Sequence, residues 1–335
     1  MCMRNKILLV VCGFILVISS FAGGWFARDI AEFEFLSPLS PHQTISSVEK
    51  PLDRFSFDRL RLTQFAPNQI AFERVFGETP TYTGHLFTYT WEGKKISGLA
   101  HIPKKNGKLP VVIMLRGYVD KEEYQTGVGT ARSGQILAEN GFITLAPDFL
   151  GFGESDPGPL NDLEDRFNRP SQIVQLISSL QTVSQADPNK LFMWGHSNGG
   201  QIALSVLEIT KRPIPTTLWA PVSKPFPYSV LYYTDEFSDG GKYLRRMIAE
   251  FESEYNADRF SISTFLPDIK APLIIHQGGA DDAVPQEWSD ELVTLLKDLG
   301  VTVEYFTYPD ADHNMKGSWD TVVARDVDFF KKFLN

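Results

Sequence analysis

The chain has 335 residues, 43% of them hydrophobic and 22% charged, which is the balance of a globular protein and leaves room for one α/β domain of about 250 residues behind an N-terminal extension. A net charge of −9 argues against nucleic-acid binding, which wants a basic face, and no internal repeat at solenoid or propeller period is present. Both cysteines, Cys2 and Cys12, fall in the first segment, so the rest of the chain has no disulfide and no thiol chemistry.

Taken in chain order, Arg4 and Lys6 form a basic leader to Ile7–Phe26, an uncharged and mainly apolar run long enough to cross a bilayer as a helix. Residues 1–28 are therefore expected to be a signal anchor that leaves the rest outside the cytoplasm. Ser20-Phe21-Ala22 also offers the small residues a signal peptidase needs, so a cleaved signal and a secreted enzyme is the competing expectation. Residues 29–84 mix short apolar, charged and proline residues and are expected to be an extension, with Ser37-Pro38-Leu39-Ser40-Pro41 as a linker. Only about 55 residues lie between the apolar run and the catalytic domain, too few for a propeller of several blades.

The catalytic domain is expected over 85–335. A hairpin over 85–102 turns at Trp91-Glu92-Gly93-Lys94-Lys95. Apolar runs then predict strands near 111–115, 142–146, 191–194, 216–219, 272–276 and 302–307. Helices are predicted near 131–140, 170–185, 199–210, 286–299 and 319–333. This alternation predicts a mostly parallel, doubly wound sheet. The stretch 222–268 is too long for a plain connection and is expected to be a cap. Its aromatics, Phe226, Tyr228, Tyr232, Tyr233, Phe237 and Tyr243, either line a substrate pocket or form the cap's own core, and its acids Asp235, Glu236 and Asp239 are expected to be solvated.

The chemistry is concentrated after three of these strands. Leu191-Phe192-Met193-Trp194 runs into Gly195-His196-Ser197-Asn198-Gly199-Gly200, a G-x-S-x-G pattern in its strand–turn–helix setting. The glycines are needed because a nucleophile on a strained turn brings its neighbours against adjacent backbone. The helix behind Ser197 offers free N–H groups to a developing oxyanion. Asp281, with Asp282 as its rival, follows the strand ending at His276; His313 follows the last strand and is the only histidine C-terminal to the acid. Both loops lie at carboxyl ends of strands, where open α/β sheets gather ligands. His196 is expected to face away from Ser197, and His276 to be structural. Asp310 and Asp312 sit beside His313, but one short turn supplies too few ligands for a cation.

These motifs together resemble the prolyl oligopeptidase-type catalytic domain of the α/β-hydrolases, over about residues 85–335. Asp187-Pro188-Asn189-Lys190 stands before the nucleophile strand as in that family, Pro147-Asp148-Phe149-Leu150-Gly151-Phe152-Gly153-Glu154-Ser155 matches its P-D-x-x-G-x-G-x-S turn, and His276–Pro285 is similar to its acid segment. Counting back from Val284-Pro285, the resemblance makes Asp281 the triad acid. The chain departs from the pattern at Asn198, where the family commonly has tyrosine, and at Leu115-Arg116-Gly117-Tyr118, where it usually reads H-G-x. Backbone N–H groups of Asn198 and Tyr118 still serve as the expected oxyanion donors. Arg116 is expected to be structural, paired with Asp148 or another acid, rather than an anion binder. The implied function is acyl transfer to Ser197 on a small-molecule ester or peptide, with no metal or organic cofactor; a stand-alone esterase is favoured over a peptidase, and a silent binding protein on the same fold is the remote alternative.

Overall fold

A nine-stranded sheet organises the chain, in the order β1-β2-β3-β5-β4-β6-β7-β8-β9. The structure is a computed structural model that describes residues 49–334. The apolar run 7–26 and both cysteines lie outside the described residues. Among the described residues, no helix is long and apolar enough to cross a membrane.

The strands are β1 Ala71–Glu78, β2 Tyr82–Trp91, β3 Lys94–Pro103, β4 Leu109–Leu115, β5 Ile143–Pro147, β6 Ala186–His196, β7 Thr216–Trp219, β8 Leu273–Gly278 and β9 Val303–Tyr308. The first three pair antiparallel, β3 is antiparallel to β5, and β5-β4-β6-β7-β8-β9 run parallel. The hairpin closes in two residues, Glu92 at φ 48° and Gly93 at φ 75°, the positive-φ turn that suits the twist of paired strands.

Seven helices of six residues or more complete the fold: α1 Phe57–Leu62, α2 Ala131–Glu139, α3 Asp162–Ser179, α4 Asn198–Thr210, α5 Lys242–Glu254, α6 Gln286–Asp298 and α7 Trp319–Lys331. The central strands are apolar on both faces, as a sheet covered on both sides requires. Along β4, Val111, Ile113 and Leu115 join one core, which includes Ile173 and Leu176 of α3 and Leu204 and Leu207 of α4. Val112 and Met114 join the other, with Leu137 of α2 and Val322, Val323 and Phe330 of α7. Residues of β6 and β8 divide between the cores in the same alternation.

Two boundaries differ from the sequence expectation. Helix α3 begins eight residues before 170, because Asn161 caps it by accepting from the N–H groups of Leu163 and Glu164, both at 2.9 Å, while Asp162, Glu164 and Asp165 favour its first turn. Pro170 lies inside the helix rather than opening it. The expected extension over 29–84 is also corrected for the part that is described: Glu49 onward belongs to the same compact unit as the sheet. Phe55, Phe57, Leu60 and Ile70 are buried, Arg259 clasps Asp53 (2.7 Å) and Asp58 (2.8 Å), and β1 adds an edge strand before the hairpin. These residues were hard to place because their apolar positions are few and β1 is mostly solvent-facing.

Over 222–268 the chain forms a series of short helices separated by turns, with α5 the longest. Helix α5 packs Ile248 and Phe251 inward. Cap acids are satisfied locally: Asp235 pairs with Arg245, and Asp239 accepts from the N–H groups of Gly241 (2.7 Å) and Tyr243 (2.9 Å).

Candidate active site

Strand β6 ends at His196 and α4 begins at Asn198, leaving Ser197 alone on the turn at φ 56°, ψ −121°. A non-glycine residue there costs on the order of 1–3 kcal/mol and persists only where the surroundings impose it. They do so here. The Ser197 N–H donates to Trp219 O (2.9 Å), and its carbonyl accepts from Gly200 (2.9 Å) and Val222 (3.1 Å). A Cβ on Gly199 would stand 1.9 Å from Leu115 O, and one on Gly195 would stand 2.7 Å from Gly199 O. The turn is sharp because both glycines let backbone touch backbone.

The Leu115–Tyr118 segment leans on the same turn, since a Cβ on Gly117 would come within 3.1 Å of Ser197 Cβ. Asn198 is the first residue of α4, so its N–H lacks a partner within the helix. Two backbone segments therefore border the nucleophile position. The Tyr118 side chain is exposed, and its hydroxyl donates to Asp120 at 2.7 Å.

Asp281 and His313 are brought together by the loops after β8 and β9. His313 Nδ1 lies 2.9 Å from Asp281 Oδ2. The loops touch through glycine: a Cβ on Gly278 would be 2.3 Å from Ala311 O, and one on Gly279 would be 2.7 Å from Pro309 O. Ala280 N–H donates to Ala311 O at 3.0 Å. Asp281 also accepts from Gln277 Nε2 (3.0 Å) and from the N–H groups of Ala283 (2.9 Å) and Val284 (2.8 Å). Burial works to raise its pKa, but the bonds from His313 and these amides prevail and hold the carboxyl below its ordinary range. Asp282, the rival acid, is exposed.

His313 reaches the nucleophile turn through His196. The two rings lie 4.6 Å apart, and His196 Nε2 is 2.9 Å from the His313 carbonyl, which makes it the donor. Burial, reinforced by the neighbouring His313, pushes His196 down to about 4, so this imidazole is neutral at physiological pH. Sequence reasoning missed its contact with His313, and also missed Gln277, whose amide ties Asp281 to Ser289. An apolar strand ending in His-Gln-Gly was the available signal for Gln277.

Other singled-out residues have structural places. Arg116 is buried, with its guanidinium 4.3 Å from the rings of both Tyr124 and Phe152, and it donates to the backbone carbonyls of Gly117 (3.0 Å) and Asp148 (3.2 Å). The Asp148 carboxylate instead accepts from Ser97 (2.5 Å), Tyr124 (2.6 Å) and Thr126 (2.9 Å). His276 is fully buried, 3.0 Å from Asp326 and 2.9 Å from the Tyr308 hydroxyl, and Trp194 and Trp219 both donate to Asp326. Asp312 accepts from the N–H groups of Asn314 (2.9 Å) and Lys316 (3.0 Å), so it shapes the turn after His313.

The profile of the prolyl oligopeptidase family matches residues 130–335, which hold the Ser197 turn, Asp281 and His313. The chain belongs to the prolyl oligopeptidase family. This member is a serine hydrolase. A provisionally named carboxymethylenebutenolidase of Escherichia coli (strain K12) is 25% identical over 242 residues, covering 69% of this chain and 80% of the relative. An isoprenylcysteine alpha-carbonyl methylesterase of Arabidopsis thaliana is 23% identical over 231 residues, 64% of this chain and 52% of that one. Acetyl xylan esterase 1 from Thermoanaerobacterium sp. JW/SL YS485 shares the fold with a TM-score of 0.58 at 16% identity, over 83% of this chain and 93% of that one. Pyrococcus horikoshii acylaminoacyl peptidase does so with a TM-score of 0.57 at 18% identity, over 76% and 42%.

Proposed function

We propose that this family member cleaves acyl esters by a Ser197–His313–Asp281 triad. His313 takes the Ser197 Oγ proton as the oxygen attacks the carbonyl, Asp281 fixes the imidazole tautomer from the far nitrogen, and the N–H groups of Asn198 and Tyr118 stabilise the oxyanion. The alcohol leaves with the proton from His313, and water cleaves the acyl-enzyme by the same relay in reverse. The single observation that carries this is the buried Asp281 carboxylate 2.9 Å from His313 Nδ1, on a histidine whose ring lies 4.6 Å from that of the residue before a strained Ser197. Support for an ester over a peptide comes from the esterase names among relatives that match most of this chain. The family's peptidase members favour a second reading, cleavage of short peptides through the same residues.

The test compares the full-length protein with Ser197→Ala. The wild type should react with a fluorophosphonate and hydrolyse p-nitrophenyl butyrate faster than alanyl or prolyl arylamides. Ser197→Ala should abolish labelling and lower turnover by on the order of 10⁴–10⁶. Labelling that survives the substitution rejects the nucleophile, and a preference for arylamides moves the reading to the peptidase.

A further inference from the structure

Beside the nucleophile turn, the N-terminal halves of α3 and α4 enclose a cavity roofed by the stretch 222–268. Asn198 and Gln201 line it from α4, Arg166 and Arg169 from α3, and Phe226 and Phe260 from above. Phe167 completes an aromatic wall, with ring centroids 5.0 Å from Phe226 and 4.6 Å from Phe260. Gln201 is three residues past Asn198, about 4.5 Å along the helix axis. The cavity is therefore within reach of a substrate held at Ser197.

Its charge is one-sided. Two guanidiniums line it and no carboxylate does. Arg169 is neutralised by Asp165 at 2.5 Å. Among the described residues Arg166 forms no ion pair: its Nη2 donates to the neutral Gln201 Oε1 and to Ser229 Oγ (3.3 Å), and Nε and Nη1 donate to nothing. Gln201 is locked in that orientation because its own amide donates to Lys224 O at 3.1 Å. Burial lowers Arg166 to about 10, which still leaves it cationic at neutral pH. A partly desolvated cation without a counter-charge is costly, and Nε and Nη1 are each left to donate singly to an anionic acceptor.

We propose that Arg166 receives a carboxylate of the substrate, so that the esters cleaved here carry an acid group on an apolar spacer. One uncompensated guanidinium between aromatic walls matches a monoanion better than a phosphate dianion. The inference rests on Ser197 being the nucleophile.

The full-length protein is assayed by proton release on pairs matched in length but differing in charge: monomethyl adipate against dimethyl adipate, and acetylated hydroxyhexanoate against hexyl acetate, which put the acid on the acyl and alcohol sides in turn. In one pair or the other the acid should be favoured in kcat/KM by about 10–100-fold, mainly through KM, and the preference should shrink as salt is added. Arg166→Gln should erase that ratio, and Arg166→Lys, which keeps the charge but not the fork, should retain part of it. Equal or better rates for both neutral esters in the wild type overturn the proposal without any variant, as does an acid preference that persists in Arg166→Gln. Fluorophosphonate labelling separates the two failures: labelling without acid preference rejects the role of Arg166 alone, and absence of labelling rejects the nucleophile beneath it.

Discussion

At the scale of the residue, the two adjacent acids offer the sharpest contrast. The Asp281 side chain is buried and its carboxylate accepts four different donors, whereas Asp282 is exposed. Asp281→Asn puts an amide where an acceptor of the His313 proton is needed, so kcat should fall by about 10⁴-fold with the fold retained. Asp282→Asn should change kcat less than about threefold, because an exposed carboxylate is screened. Steady-state ester hydrolysis of the two purified variants decides this, and the opposite ranking would transfer the role to Asp282. His196 meets the same histidine: its neutral ring donates to the His313 backbone and lies 4.6 Å from its imidazole, tilted by 38°.

At the scale of the element, the turn between β6 and α4 tolerates no added atom at Gly199. Gly199→Ala drives a Cβ into the Leu115 backbone at 1.9 Å, where neither partner is a side chain that can swing away. We expect a loss of several degrees in melting temperature and of most labelling at Ser197. Gly77→Ala on the edge strand meets nothing within 4 Å and should stay within about 0.5 kcal/mol of wild type in denaturant unfolding. Equal effects of the two substitutions would refute the close approach of α4 to β4. This element was legible in sequence because an apolar strand, a paired-glycine turn and an apolar helix all agree on one architecture. Less of the neighbouring α3 was legible. Pro170 looks like a helix start, and only the tertiary setting shows that the Asn161 cap starts the helix a full two turns earlier. That misplacement also hid Arg166, which lies in the first half of the helix. Likewise β1 offers too little buried surface to show the alternation of a strand, and Gly278 and Gly279 have meaning only once the β8 and β9 loops meet.

At the scale of the whole molecule, stability depends on acids sealed inside. Glu208 of α4 is fully buried, and neither carboxyl oxygen has a partner, because Arg61 donates to the Glu208 backbone carbonyl (2.9 Å) and to Asp268 instead. Burial pushes this carboxyl well above its ordinary value. The folded state therefore holds a proton that the unfolded chain releases near pH 4.5, so its stability is fully present below that value and is lost as pH rises through the folded pKa. Glu208→Met, apolar and of similar length, should match wild type at pH 5 and gain on the order of 1 kcal/mol at pH 8, about 2–4 °C in melting temperature. Thermal unfolding at the two pH values tests this; a gap that does not widen with pH would show that Glu208 is ionised in place.

The strand order has a consequence for how the enzyme comes into being. From β6 to β9 the strands are laid side by side in the order of synthesis, and the nucleophile turn comes first, Asp281 later and His313 near the end. While the ribosome is still extending the chain, Ser197 can already be seated on its turn but has no base beside it. On the proposed triad, each emerging chain therefore carries the serine before the acid and base that would activate it. Under that reading, activity would await the docking of the last strand, whose loop meets that of β8, and so would mark a finished chain.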